Sequence, residues 1–113
     1  MADGDRPDLL QGTLDLLVLK ALQVGSLHGW GITERLRLGS RDVLAIGQGS
    51  LYPALYRLER HGFVTSAWET TENNRRARVY TLTAGGRAQL VRERQNWRRM
   101  AKAVEHVLRM SES

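Results

Sequence analysis

The sequence predicts a mainly α-helical domain that carries one β-hairpin, and three observations predict it. Apolar residues recur at helical spacing in three successive stretches between Leu14 and Leu58. The pattern then changes to two β-prone runs, residues 63–68 and 77–82, on either side of a polar loop. After Thr83, a long charged stretch carries apolar residues seven apart, at Leu90, Trp97 and Val104.

The first helix is expected to open at Thr13, a good N-cap, with Asp15 in its first turn at the positive end of the helix dipole. Leu14, Leu17, Val18, Ala21 and Leu22 form one apolar stripe, widened by Leu16 and Leu19, until Gly25 stops the helix. A turn over residues 25–29 leads to a second helix over 30–38, with Ile32 and Leu36 on one side and Glu34, Arg35 and Arg37 elsewhere. Residues 42–49 hold Val43, Leu44 and Ile46 beside two glycines, which suits either a short strand or a plain connection.

The third helix opens between Ser50 and Pro53, because first-turn amides have no intrahelical partner to lose, while proline disfavours helical geometry at the residue before it. Leu51, Leu55 and Leu58 recur at i, i+4 and i+7 and face inward, leaving Ser50, Pro53, Ala54, Arg57 and Arg60 outward. Gly62 ends this helix. Asn73 and Asn74 then mark the tip of a hairpin whose loop spans residues 69–76.

Thr83 caps a last helix over residues 84–110, about 40 Å long at a rise of about 1.5 Å per residue. That is too long to pack fully on so small a body. Ala101 and Leu108 occupy the heptad position complementary to Leu90, Trp97 and Val104, Met100 and Val107 flank the seam, and Arg94 interrupts it. A projecting helix with an unpartnered apolar seam predicts a homodimer. The chain thus divides into a flexible leader over 1–8, a domain over 9–83, and a dimerisation helix with a short tail over 84–113.

At 113 residues the chain supports one modest core. Its 17 basic and 12 acidic residues leave a net charge of +5, which favours a polyanionic partner. The absence of cysteine removes disulfide scaffolds, thiolate zinc sites and thiol nucleophiles, and fits a reducing cytosol. The first residues lack the pattern of a signal peptide, and the apolar cluster at 14–22 is broken by Asp15 and Lys20, so a cytoplasmic protein is expected.

Helix, helix, helix and hairpin, in that order, is the arrangement of a winged helix-turn-helix, whose third helix enters the DNA major groove while the hairpin lies along the backbone. The side chains suit that task. Ser50 and Tyr52 can donate to bases or phosphates, Arg57 can pair with phosphate or guanine, and the hairpin supplies Asn73, Asn74, Arg75, Arg76 and Arg78.

The runs Leu10-Gln11-Gly12-Thr13-Leu14-Asp15-Leu16-Leu17 and Leu27-His28-Gly29-Trp30-Gly31-Ile32 resemble the opening of PadR-family regulators. Gly49-Ser50-Leu51-Tyr52-Pro53-Ala54-Leu55-Tyr56-Arg57-Leu58-Glu59 and Tyr80-Thr81-Leu82-Thr83-Ala84-Gly85-Gly86-Arg87 are similar to that family's recognition helix and hairpin exit. The resemblance spans residues 9–108 and implies a dimeric repressor of the compact branch, bound to a palindromic double-stranded operator. It implies DNA contacts from Gln11, Thr13, Trp30, Gln48, Ser50, Tyr52, Pro53, Arg57, Asn74, Arg75, Arg76 and Arg78. Leu90, Trp97, Met100, Ala101, Val104 and Leu108 are implied at the dimer interface, where a small flat aromatic effector could stack on Trp97 or Trp97 could simply pack. Trp30 departs from the tyrosine usual in the family, replacing a hydroxyl with an indole N–H.

No catalytic, metal or cofactor site is expected. His28, His61 and His106 lack metal-ligand spacing, no nucleophile elbow surrounds Ser50, and Gly47-x-Gly49 lacks the remainder of a phosphate-binding loop. The rival reading is a protein-interaction or ligand-sequestering module on the same scaffold.

Overall fold

The computed structural model describes residues 11–111. In order these form α1 (Gln11–Val24), β1 (Leu27–His28), α2 (Gly29–Gly39), α3 (Gln48–Arg60), β2 (Val64–Thr70), β3 (Arg76–Leu82) and α4 (Ala84–Leu108). The expected leader lies outside the described residues. The predicted class holds: a mainly helical winged helix-turn-helix with a long final helix.

The core is the meeting of the predicted stripes. Leu14, Val18, Leu19 and Leu22 of α1 pack with Ile32 and Leu36 of α2, Leu51, Leu55 and Leu58 of α3, and Val64, Tyr80 and Leu82 of the hairpin. Arg35 ties α2 to the end of α1 by donating from Nη1 to the carbonyls of Ala21 and Gly25, at 3.0 and 3.3 Å. Those carbonyls lie where the helix ladder runs out of donors.

Several boundaries differ from expectation for identifiable reasons. Helix α1 already includes Gln11, so Thr13 lies within the helix rather than capping it. Residues 27 and 28, read as part of a turn, form β1, a third strand paired with β3 at Leu27↔Tyr80 and His28↔Val79. The sheet order is therefore β1-β3-β2. Two residues show no period in sequence, so only the neighbouring strand reveals them. His28 also caps α2, its Nδ1 accepting from the Gly31 amide at 3.0 Å. Residues 42–49 form no strand before α3 begins.

Helix α3 starts at Gln48, which puts Pro53 in the second turn, where it cannot donate to the Gly49 carbonyl. Ala54, expected outward, is 0% exposed, because it lies three residues after Leu51 and four before Leu58 on the same stripe. At the hairpin tip Asn74 adopts a left-handed φ of 58°, and its amide donates to the Thr71 carbonyl at 2.9 Å. Asparagine tolerates that conformation better than most residues.

Thr83 caps α4 as expected, accepting from the Gly86 amide at 3.0 Å. The helix ends at Leu108, two residues short of the expected Met110. Among the described residues, its first turns pack on the body, where Leu90 joins the core. The Cα radius of gyration is 16.1 Å, against about 13 Å for a compact chain of this length. No described helix is long and apolar enough to cross a membrane.

Candidate nucleic-acid interface

One row of side chains runs along the outer face of α3: Tyr52, Tyr56 and Arg60, each four residues from the last. Tyr56 is 63% exposed, and the Arg60 guanidinium lies 5.7 Å from its ring centroid. Opposite this row stands the hairpin. Cross-strand pairs share one face of a sheet, so Val64↔Leu82, Ser66↔Tyr80, Trp68↔Arg78 and Thr70↔Arg76 all lie on the same side. At its base that face is core, with Val64, Tyr80 and Leu82 buried; toward the tip it becomes Trp68, Arg78 and Arg76.

Two shallow grooves open between helix and hairpin. One, of about 500 Å³, is lined by Tyr52, Tyr56, Glu59, Arg60, Arg78 and Tyr80. The other, of about 600 Å³, is lined by His28, Gly29, Trp30, Tyr52, Trp68, Thr71, Arg75, Arg76, Ala77, Arg78 and Tyr80. They share Tyr52, Arg78 and Tyr80, so together they form one trough with arginines along its rim. Tyr52 is seated by Gly29: a Cβ at that position would stand 2.8 Å from the Tyr52 Cζ. Burial pushes the Tyr80 hydroxyl above the ordinary phenol range.

Comparison with known proteins decides the family. Residues 18–92 match the sequence model of the transcriptional regulator PadR-like family. The chain belongs to the PadR family. It is 36% identical over 78 residues to the transcriptional regulator Rv3488 of Mycobacterium tuberculosis, covering 69% of each chain. Among solved structures, a transcriptional regulator from Clostridium thermocellum superposes with a TM-score of 0.79 at 25% identity, over 88% of this chain and 97% of that one. A PadR family transcriptional regulator from Eggerthella lenta superposes with a TM-score of 0.76 at 26% identity, over 89% and 86%.

Not all the residues expected at DNA share one surface of this PadR regulator. Trp30, Tyr52, Arg75, Arg76 and Arg78 line the trough. Gln48, Ser50 and Pro53 are exposed on α3, and Asn74 is exposed at the hairpin tip. Arg57 is turned away. Its Nη2 donates to Asp15 Oδ1 on α1 at 2.9 Å, and it lines a separate pocket of about 250 Å³ together with Gln11, His61, Gln89 and Glu93. The sequence reading set Arg57 outward, but Asp15, 42 residues earlier, claims it once α1 packs on α3. Asp15 accordingly serves that pair rather than the dipole of α1.

Burial raises the Asp15 carboxyl above the ordinary aspartate range, although the Arg57 hydrogen bond and charge pull it down; the Glu93 charge adds to the rise. The native state therefore holds this proton to higher pH than the unfolded chain does. By linkage, the Asp15 contribution to stability is largest at low pH and falls as pH rises from about 4 through the raised value. Urea titrations of the parent and of Asp15→Asn should show their stability difference declining across that window and flat above it. A difference independent of pH would contradict the assignment.

Tyr56, Glu59, Arg60 and Trp68 are among the trough residues that the sequence did not single out for DNA contact. The i, i+4, i+8 spacing of Tyr52, Tyr56 and Arg60 was a usable signal for the first. Glu59 accepts from Ser66 Oγ at 2.7 Å and lies 3.6 Å from Arg78 Nη2, contacts that only the fold creates.

The expected dimer seam also divides. Leu90 is 3% exposed within its own core, because the start of α4 covers α1. Trp97, Met100, Val104, Val107 and Leu108 are exposed on the projecting part, with Ala101 half-buried between them. One helix face thus packs inward for its first turns and continues beyond the body with its apolar side chains exposed among the described residues.

Proposed function

We propose that this regulator is a homodimeric repressor that binds a palindromic double-stranded operator in the cytoplasm, with α3 of each protomer in successive major grooves about 34 Å apart. The observation that carries this reading is the trough. A row of hydrogen-bonding side chains on α3 faces an arginine-bearing hairpin, and the two are tied together. Gln48, Ser50, Tyr52, Tyr56 and Arg60 address base edges and nearby phosphates. Trp30, Asn74, Arg75 and Arg76 address the backbone. The exposed apolar face of α4 supports the dimer, and Trp97, 49% exposed on that face, offers a flat surface for a small aromatic effector.

Selection from a random DNA pool with the purified protein tests this directly. A single palindrome should emerge, and Tyr52→Ala should weaken binding to it by about 10- to 100-fold, the loss of one good base or phosphate contact, with dimer mass and thermal midpoint retained. Sequence-blind binding, or unchanged affinity in that variant, would reject the reading in favour of an interaction module.

A further inference from the structure

The hairpin carries an aromatic side chain that the core does not use. Trp68 is 57% exposed, too open to be explained by packing in the body. The Arg76 guanidinium carbon lies 5.4 Å from its ring centroid and that of Arg78 lies 5.9 Å away. Both distances are within the range of attraction between a guanidinium and the face of an indole.

The two arginines differ in what else holds them. Arg78 Nε donates to Ser66 Oγ at 2.8 Å, Ser66 Oγ donates to Glu59 Oε2 at 2.7 Å, and Arg78 Nη2 stands 3.6 Å from the same carboxylate. Its charge is thus spent on Glu59, a carboxylate that would otherwise repel phosphate at the trough. The chain Arg78–Ser66–Glu59 also bolts the hairpin to α3. The Arg76 side chain makes no hydrogen bond or ion pair among the described residues; the Trp68 ring is the group beside it.

We propose that Trp68 is a positioning residue for DNA binding, which holds Arg76 as the preset phosphate donor of the hairpin while Arg78 serves as the latch between hairpin and α3. Stacking uses the flat face of a guanidinium and leaves its N–H edge free for a phosphate. A side chain already held in place loses less freedom on binding than a mobile one. Two arginines two residues apart on one strand face therefore have different tasks. This inference rests on the DNA-binding reading above.

The test is a salt titration of affinity for the selected operator, made on the full chain. Trp68→Leu should weaken binding roughly 10-fold through the lost ordering of Arg76, while Trp68→Phe, which keeps a ring, should retain most of the affinity. Arg76→Ala should lower the dependence of log affinity on log salt by about one per protomer. Trp68→Leu added to Arg76→Ala should cost nothing further, whereas a purely structural role for Trp68 would make the two losses additive. Arg78→Met should leave the salt slope unchanged and lower the thermal midpoint.

Additive losses, or a slope moved by Arg78→Met and not by Arg76→Ala, would overturn the proposal. A readout without DNA separates the two claims: in the parent, the Arg76 and Arg78 Nε–H resonances should show indole ring-current shifts that Trp68→Leu abolishes. Such shifts in a parent that binds no operator would overturn the DNA-binding reading and the phosphate role with it. Their absence in a parent that does bind would overturn the positioning role alone.

Discussion

Aspartate in place of Val104 is expected to leave a folded monomer of 12.8 kDa that binds the operator about 100-fold more weakly than the parent, the scale on which joining two sites raises avidity. Val104 lies on the same α4 face as Trp97, Ala101 and Leu108, beyond Leu90, which joins the core, and Glu93, which lines the pocket beside Arg57. Among the described residues it is 47% exposed and outside the core. In a dimer closed by this face, two copies would place a pair of carboxylates in an apolar seam, where unpaired charge is strongly disfavoured. Sedimentation should report the loss of mass and circular dichroism the retained fold. Aspartate at Lys102, on the opposite side of the helix, should leave the dimer intact. A dimer that survives Val104→Asp would place the interface elsewhere.

The second large effect lies at the start of α4. Intrinsic propensity alone predicts that Gly86→Ala stabilises the helix by up to about 1 kcal/mol. The fold reverses that sign. A Cβ at Gly86 would fall on the carbonyl oxygen of Phe63 and stand 2.5 Å from Leu82 Cδ1. That carbonyl accepts from the Thr83 amide at 3.1 Å, so it cannot turn aside without loosening the junction of hairpin and helix. We expect Gly86→Ala to cost about 3 kcal/mol, the upper end for overpacking, and to lower the midpoint by on the order of 10 °C. Gly85 is the control. A Cβ there meets its nearest atoms, Gly62 O and Thr83 Oγ1, at 3.7 Å, so Gly85→Ala should be neutral or stabilising. Equal effects of the two substitutions in thermal melts would refute the clash.

The candidate site was partly legible. Tyr52, Arg75, Arg76 and Arg78, which line the trough, stand out in the sequence because a helix face and a hairpin tip are local patterns. Helical spacing places Arg57 outward on α3 but says nothing of Asp15 on another helix, to which it donates. Leu90 was assigned to the dimer seam because a heptad repeat does not reveal where the body ends and the projection begins.

The sequence by itself determined the elements and their order: periodicity set α1 to α4, β-prone runs set the hairpin, and Thr83 set the entry to α4. Those signals lie within a few residues of one another, where backbone geometry alone relates them. Only the tertiary structure decided how Arg57 is used, why Gly86 must lack a side chain, and that β1 joins the sheet. It also decided that Trp68, Ser66 and Glu59 give two neighbouring arginines different contacts. Each of these depends on contact between elements separated in sequence, and such contacts exist only once the core has brought those elements together.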